Sequence, residues 1–378
     1  MRTLDDARAV CEGFLPGLGA KLAEIPLLEL EKPGNPTLKL FKEHGGPALL
    51  IPKEYSGLAA SPLEAVRVVR ALASYAPSLA VATTMHHFSV ATLFTLADSL
   101  RNSGMEWALL EGIASQNLLV SSGFAEGRPG QGILTPTMVA TAAAGGFVVN
   151  GSKKPCSLSA SMDLMTASVA VPSANGGTEM AVLLIPATTP GISIHPFWGS
   201  NILAGAESDE IRLTDVFVHE QLVMRTELGD AGELDELQTV GFIWFEMLIA
   251  ASYLGMASAL VEKVFAKRTR GNAELAAVGV RLETATLLLE GVARMMADGN
   301  TDNGSLASAL IARYGAQDAI TDAVRISVEA LGGMSFIGSP EVAYFAAACH
   351  CLGFHPPGRS SSADGLAAYF GGDVLRLG

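Results

Sequence analysis

A chain of 378 residues is longer than one compact core usually supports, so two or three packed parts are expected. With 49% apolar and 17% charged residues it is neither disordered nor built to coat nucleic acid, and a formal net charge of −13 argues further against nucleic acid as a partner. The acidic, amphipathic start MRTLDDARAV lacks the basic head and short apolar core of a signal peptide, so a cytosolic location is expected.

From Thr3 to about Gln116 apolar residues recur at helical spacing, as in SPLEAVRVVRALASYA, where Leu63, Val66, Val69 and Leu72 follow a Ser-Pro start. Ala71 to Ala97 carries no Asp, Glu, Lys or Arg and is long enough to span a bilayer, but its Pro77, His86, His87 and many Ser and Thr point to buried helices and not to a membrane. From about Asn117 to Leu222 the period changes. GGFVVNGSKK, MTASVAVP, EMAVLLIPA and DEIRLTDVFV are short β-rich runs broken by Gly, Pro and Asn, which predicts a small antiparallel β domain. Within it, Asn150-Gly151 is expected to supply the positive φ angles of a hairpin turn.

From about Glu233 the helical period returns in long stretches ended by Gly or polar clusters, which predicts antiparallel helices packed as a four-helix-type bundle. The fold class is α+β: a helical part over 1–116, a middle β domain over 117–226 and a helical bundle over 227–378. Cys11, Cys156, Cys349 and Cys351 show neither zinc-ligand nor redox spacing, so free buried thiols and no metal are expected.

Four motifs stand in a set order. ALLIPKEYSGLAASPLEAVRVVRALA leads into an early helix; GFAEGRPGQG opens the β domain; GGFVVNGSKKPCSLSASMD follows within it; ALGGMSF closes a bundle helix. Their order and spacing resemble the acyl-CoA dehydrogenase family of flavoproteins along nearly the whole chain. The resemblance implies FAD between β domain and bundle, in a homotetramer or homodimer. It puts the backbone of Gly123, Phe124 and Ala125 and the hydroxyl of Ser157 against the isoalloxazine, where hydrogen-bond donors tune the flavin. Lys267, Arg268 and Arg270, beside Lys263, with Glu329 and the Gly332-Gly333 pair, would meet the pyrophosphate. Arg270 stands where the family often has Phe, and Glu329 where it usually has Gln; a solvated basic helix end is the alternative for the cations.

The family reaction implied is α,β-dehydrogenation of an acyl thioester, carried on coenzyme A or on a carrier protein, with a flavoprotein or O₂ as electron acceptor. A carboxylate takes the α-proton. In many members it is a Glu in the loop before the last helix, but this sequence has FHPPGRSSSADG there. In others it lies on the first bundle helix, about ten residues before a Gly. Counting back from Gly255 reaches Phe245, one step from Glu246, which is expected as the base or else as a structural partner of an Arg or Lys. Pro357 has no N–H, so Gly358 would supply the donor to the thioester oxygen. One of His86 and His87 could touch the cavity, or both could be core residues. Two alternatives to the dehydrogenase stand beside it: a flavin-dependent monooxygenase of the same fold, needing no base but supplied with reduced flavin, and a non-catalytic assembly homologue.

Overall fold

The computed structural model describes residues 1–98, 104–128, 136–172, 177–225, 234–267 and 271–377. Four short helices, α1 (Arg2–Phe14), α2 (Leu18–Ala23), α3 (Leu27–Leu30) and α4 (Thr37–Glu43), lead to α5 (Pro62–Tyr75), α6 (Pro77–Asp98) and α7 (Met105–Gln116). The Ser-Pro start of α5 is a capping box: Ser61 Oγ accepts from the Glu64 N–H at 3.3 Å while the Ser61 N–H donates to Glu64 Oε2 at 2.8 Å. The uncharged run from Ala71 to Ala97 is two helices that break at Ala76-Pro77, and α6 is buried along most of its length.

Among the described residues eight strands follow in two four-stranded sheets: β1 (Val120–Gly123), β2 (Ala140–Ala143), β3 (Gly146–Cys156), β4 (Leu164–Pro172), β5 (Thr178–Pro186), β6 (Ile192–His195), β7 (Asp209–His219) and β8 (Val223–Arg225). One sheet has the order β1-β4-β5-β8 and the other β2-β3-β7-β6. The expected antiparallel pairing holds except for β1 and β4, which run parallel. The chain between them passes through β2 and β3 of the other sheet, and a crossover of that length is what parallel pairing requires.

Asn150-Gly151 is not the expected turn. Strand β3 runs straight through it with a bulge between Val149 and Gly151, and the Asn150 carboxamide pairs with the Asp215 N–H (2.8 Å) and carboxylate (3.1 Å) of the neighbouring strand. The β2–β3 hairpin turns instead at Ala144-Gly145, where Gly145 has φ +80°.

The third part contains α8 (Glu236–Lys267), α9 (Asn272–Ala297), α10 (Asn303–Leu331), α11 (Gly333–Gly338), α12 (Pro340–Cys349) and α13 (Arg359–Phe370). Helices α6 and α8 are both long and apolar enough to cross a membrane, yet both are mostly buried in protein, α8 against α5, α6, α9 and α10. Two positions show how closely these helices pack: a Cβ on Gly255 would lie 2.2 Å from Arg70 O of α5, and one on Gly241 would lie 2.7 Å from Thr92 Oγ1 of α6. The first half of α8 thus lies where bundle, α6 and the β domain meet, and a cavity opens there.

Candidate active site

The cavity measures about 470 Å³, within the range of small-molecule and cofactor sites. Its strand-side wall is formed by Ser122, Phe124 and Ala125 at the end of β1, Ser157 just after β3, and Ser208 before β7. Ser157 Oγ and Ser208 Oγ lie 3.0 Å apart, so this wall carries a row of hydroxyls. The helix-side wall is apolar: Val81, Met85 and Phe88 of α6 face Leu237, Phe242 and Phe245 of α8. The chemistry of these walls fits a flavin ring, which needs flat apolar contact on its faces and hydrogen-bond partners along its pyrimidine edge.

Phe124, Ala125 and Ser157, the residues the resemblance sets against a flavin, line this cavity. Gly123 does not: it sits within the sheet, where a Cβ would come within 2.3 Å of Met165 Cε, so its smallness serves strand packing. The phosphate-binding set lies elsewhere. Lys267 is fourteen residues beyond Tyr253, the last α8 residue at the cavity, roughly 21 Å along the helix axis at about 1.5 Å per residue. Its ammonium donates to Leu331 O (3.0 Å) and Ser335 Oγ (2.7 Å), Glu329 pairs with Arg325 (3.0 Å), and Gly332 (φ +78°) ends α10 with Gly333 starting α11. Lys263 pairs with Glu341. Arg268 and Arg270 lie outside the described residues. Within one chain the described members of this group, Lys263, Lys267, Glu329, Gly332 and Gly333, do not line the cavity.

Glu246 does not face the cavity either. The α8 residues at the site are Leu237, Gln238, Gly241, Phe242, Phe245 and Tyr253; Glu246, one turn beyond Phe242, is not among them. Glu246 is instead fully buried against α10, with Oε2 3.1 Å from Arg313 Nη1 but out of hydrogen-bond alignment. Burial pushes its carboxyl up to about 8, with Arg313 offsetting only part of the shift. The expected base is thus corrected to a structural partner, the offset of one residue having placed Phe245 where a base would stand.

Gly358 also falls outside the cavity. It precedes α13, its carbonyl accepting from Ser361 Oγ (2.9 Å) and the Ser362 N–H (3.1 Å), while Phe354, His355 and Pro356 line the site. Arg313 organises this loop by donating to Leu352 O (3.0 Å), His355 O (2.6 Å) and Pro357 O (2.8 Å). His355 is a site residue that the sequence did not disclose. Its Nε2 is 2.7 Å from Tyr253 Oη, and burial, helped by nearby Arg313, pushes its pKa down to about 3, so the imidazole is neutral at physiological pH.

His86 and His87 are core residues away from the cavity. The Val120 N–H donates to His86 Nδ1 (3.1 Å), which leaves Nε2 to donate to Pro47 O (2.9 Å) and fixes a neutral tautomer. Both His87 ring nitrogens are buried without a partner, and burial holds its pKa well below the ordinary value.

Among the described residues that line the cavity, the only carboxylate is Glu126. It accepts from Lys153 Nζ (2.9 Å), the Thr137 N–H (3.0 Å) and hydroxyl, and the Met138 N–H (3.2 Å). Burial raises its pKa, but these donors outweigh burial and hold it down at about 2. A carboxylate so engaged is a poor acceptor for a carbon-bound proton.

No family model matches the chain. Isobutylamine N-hydroxylase of Streptomyces viridifaciens is 50% identical over 379 residues, covering the whole of both chains. The chain belongs to the isobutylamine N-hydroxylase family. Among solved structures, methanesulfinate monooxygenase from Pseudomonas fluorescens superposes with a TM-score of 0.78 at 19% identity, covering 99% of this chain and 98% of that one. The FMN-bound dibenzothiophene monooxygenase TdsC, from a Paenibacillus species, does so with 0.82 at 17% identity, covering 100% and 99%. A third, PigA, carries FAD (TM-score 0.78, 16% identity, 98% and 97% covered).

These likenesses establish the acyl-CoA dehydrogenase-like fold, which this chain shares with proteins seen bound to FMN or FAD. They overturn acyl-thioester dehydrogenation as its reaction, and with it the coenzyme A or carrier-protein substrate. The relative, matched over its whole length, is named for N-hydroxylation, and among the described residues that line the cavity the only carboxylate is the engaged Glu126.

Proposed function

We propose that this protein N-hydroxylates a small aliphatic primary amine, consuming O₂ and a reduced flavin delivered by a separate reductase. The observation that carries the reading is the cavity itself, where the one carboxylate among the described lining residues is already committed to Lys153, Thr137 and Met138. Insertion of oxygen at nitrogen requires no carbon acid to be deprotonated. The overall balance is amine, O₂ and reduced flavin giving hydroxylamine, water and oxidised flavin. The flavin supplies the two electrons and the site at which O₂ is reduced.

The chain's own residues bind, orient and exclude water. Ser122, Ser157 and Ser208 would offer hydroxyls to the polar edge of the ring system, and Phe124 and Ala125 border the same wall. Phe88, Phe242 and Phe245 keep the opposite side dry, which protects reactive oxygen species from water. Amine nitrogen attacks through its lone pair, so it must enter as the free base. An alkylammonium resembles the lysine side chain, with a pKa of about 10.4 in water, and transfer into an apolar cavity lowers that value. Neutral His355 offers no anion to hold the ammonium form. The ring system shared by FMN and FAD accounts for all the cavity contacts proposed, and we propose no adenylate contact within one chain.

The test is turnover of isobutylamine by the purified protein with NADH and a flavin reductase, FMN and FAD being compared. Hydroxylamine product that requires both reduced flavin and air supports the reading. No product from any three- to six-carbon alkylamine would sink it.

A further inference from the structure

We propose that Phe245, braced by Phe88, sets the length of alkyl chain the site accepts; this rests on the amine N-hydroxylase reading. The two rings meet edge to face at 5.4 Å, one from α8 and one from α6. Phe245 also meets the His355 ring at 6.2 Å, and Phe88 meets Phe124 at 6.3 Å. A continuous line of rings thus crosses the cavity from the strand wall to the loop after α12.

Position along α8 singles out Phe245. One turn earlier Gly241 brings α8 close against Thr92 of α6, and one turn later Ile249 is fully buried and does not line the cavity. Tyr253 and His355 line it beyond, joined by their hydrogen bond. An alkyl chain lying between the serine wall and α8 therefore ends against the Phe245 ring. Removing that ring widens the cavity on the side of Tyr253 and His355, which line it next to Phe245. Ring rotation out of the way is restricted, because Phe88 and His355 flank it and because Glu246, the next residue, is held against Arg313. This gives the buried carboxylate a purpose: it fixes the rotation of α8 that points a phenyl ring, and not an acid, into the site.

The experiment compares wild type, Phe245→Leu and Phe245→Ala across linear amines of three to eight carbons, by turnover and by calorimetric binding to the flavin-loaded protein. In wild type, kcat/KM should peak at about four carbons and fall beyond. The ratio of kcat/KM for hexylamine to that for isobutylamine should rise at least about tenfold in Phe245→Ala, with Phe245→Leu between, as expected when a pocket gains room for one or two methylenes. A ring that only supports the fold would lower all amines alike and leave the ratio unmoved, and that result overturns the proposal. Wild type that binds amines with the stated length limit but hydroxylates none would sink the functional reading and leave the length limit standing. Wild type that binds none overturns both.

Discussion

Replacing Glu246 with Gln keeps the shape of the side chain and removes its ability to ionise. In the folded protein the carboxyl titrates at about 8, against 4.5 for an ordinary glutamate, because it is fully buried and Arg313 returns only part of the lost hydration. Between these two values the unfolded chain has released the proton and the native chain still holds it. Rising pH therefore favours unfolding across that window, and the dependence flattens above about pH 8. A shift of this size corresponds to a few kcal/mol, on the order of 1.4 kcal/mol for each pH unit. Gln has no such dependence. Urea unfolding of both proteins at pH 5, 7 and 9 should show near-equal stability at pH 5 and a growing advantage for Glu246→Gln as pH rises. Amine turnover should stay within about threefold, whereas loss of a general base typically costs 10²- to 10⁴-fold. A variant destabilised by several kcal/mol at every pH would show that Glu246 is permanently ionised and refute the reasoning, and a hundredfold loss of turnover with intact fold would restore it as a base.

Arg313→Met removes three donors to the loop carbonyls, so a loss of about 3–5 kcal/mol is expected by denaturant unfolding at pH 6, with little recovery in the double variant Arg313→Met with Glu246→Gln, because the buried carboxyl is already protonated there. His87→Leu eliminates two unpartnered buried nitrogens and should raise Tm by about 1–3 °C in a calorimetric scan; a fall of several degrees would show that a partner had been missed. Ser157→Ala should weaken flavin binding about fivefold by fluorescence titration, the loss of roughly one neutral hydrogen bond, and unchanged affinity would remove Ser157 from the flavin contacts.

Much of the architecture was legible because it rests on period: helical spacing before Gln116, short alternating runs after it, and long helices ended by Gly. Parallel pairing of β1 with β4 was hidden, since local patterns do not reveal which distant strand becomes a neighbour. Asn150-Gly151 misled because the same dipeptide serves a turn or a bulge, and the partner that decides, Asp215, is 65 residues away. At the site, Phe124, Ala125 and Ser157 were readable through motifs, but the orientation of Glu246 turned on a single residue of helical phase. Arg313, a lone cation amid SALIARYGA, was the available sign that a buried carboxylate had a partner. His355 and Tyr253 meet across 102 residues and left no local signature.

The central claim is that one atom of O₂ is placed on an amine nitrogen. Mass spectrometry of the product formed from isobutylamine, reduced flavin and isotopically labelled O₂ tests it most directly. The account predicts a hydroxylamine heavier than the amine by one labelled oxygen, formed only when O₂ and reduced flavin are both present. An unchanged amine, or a product whose added oxygen comes from water, would contradict it.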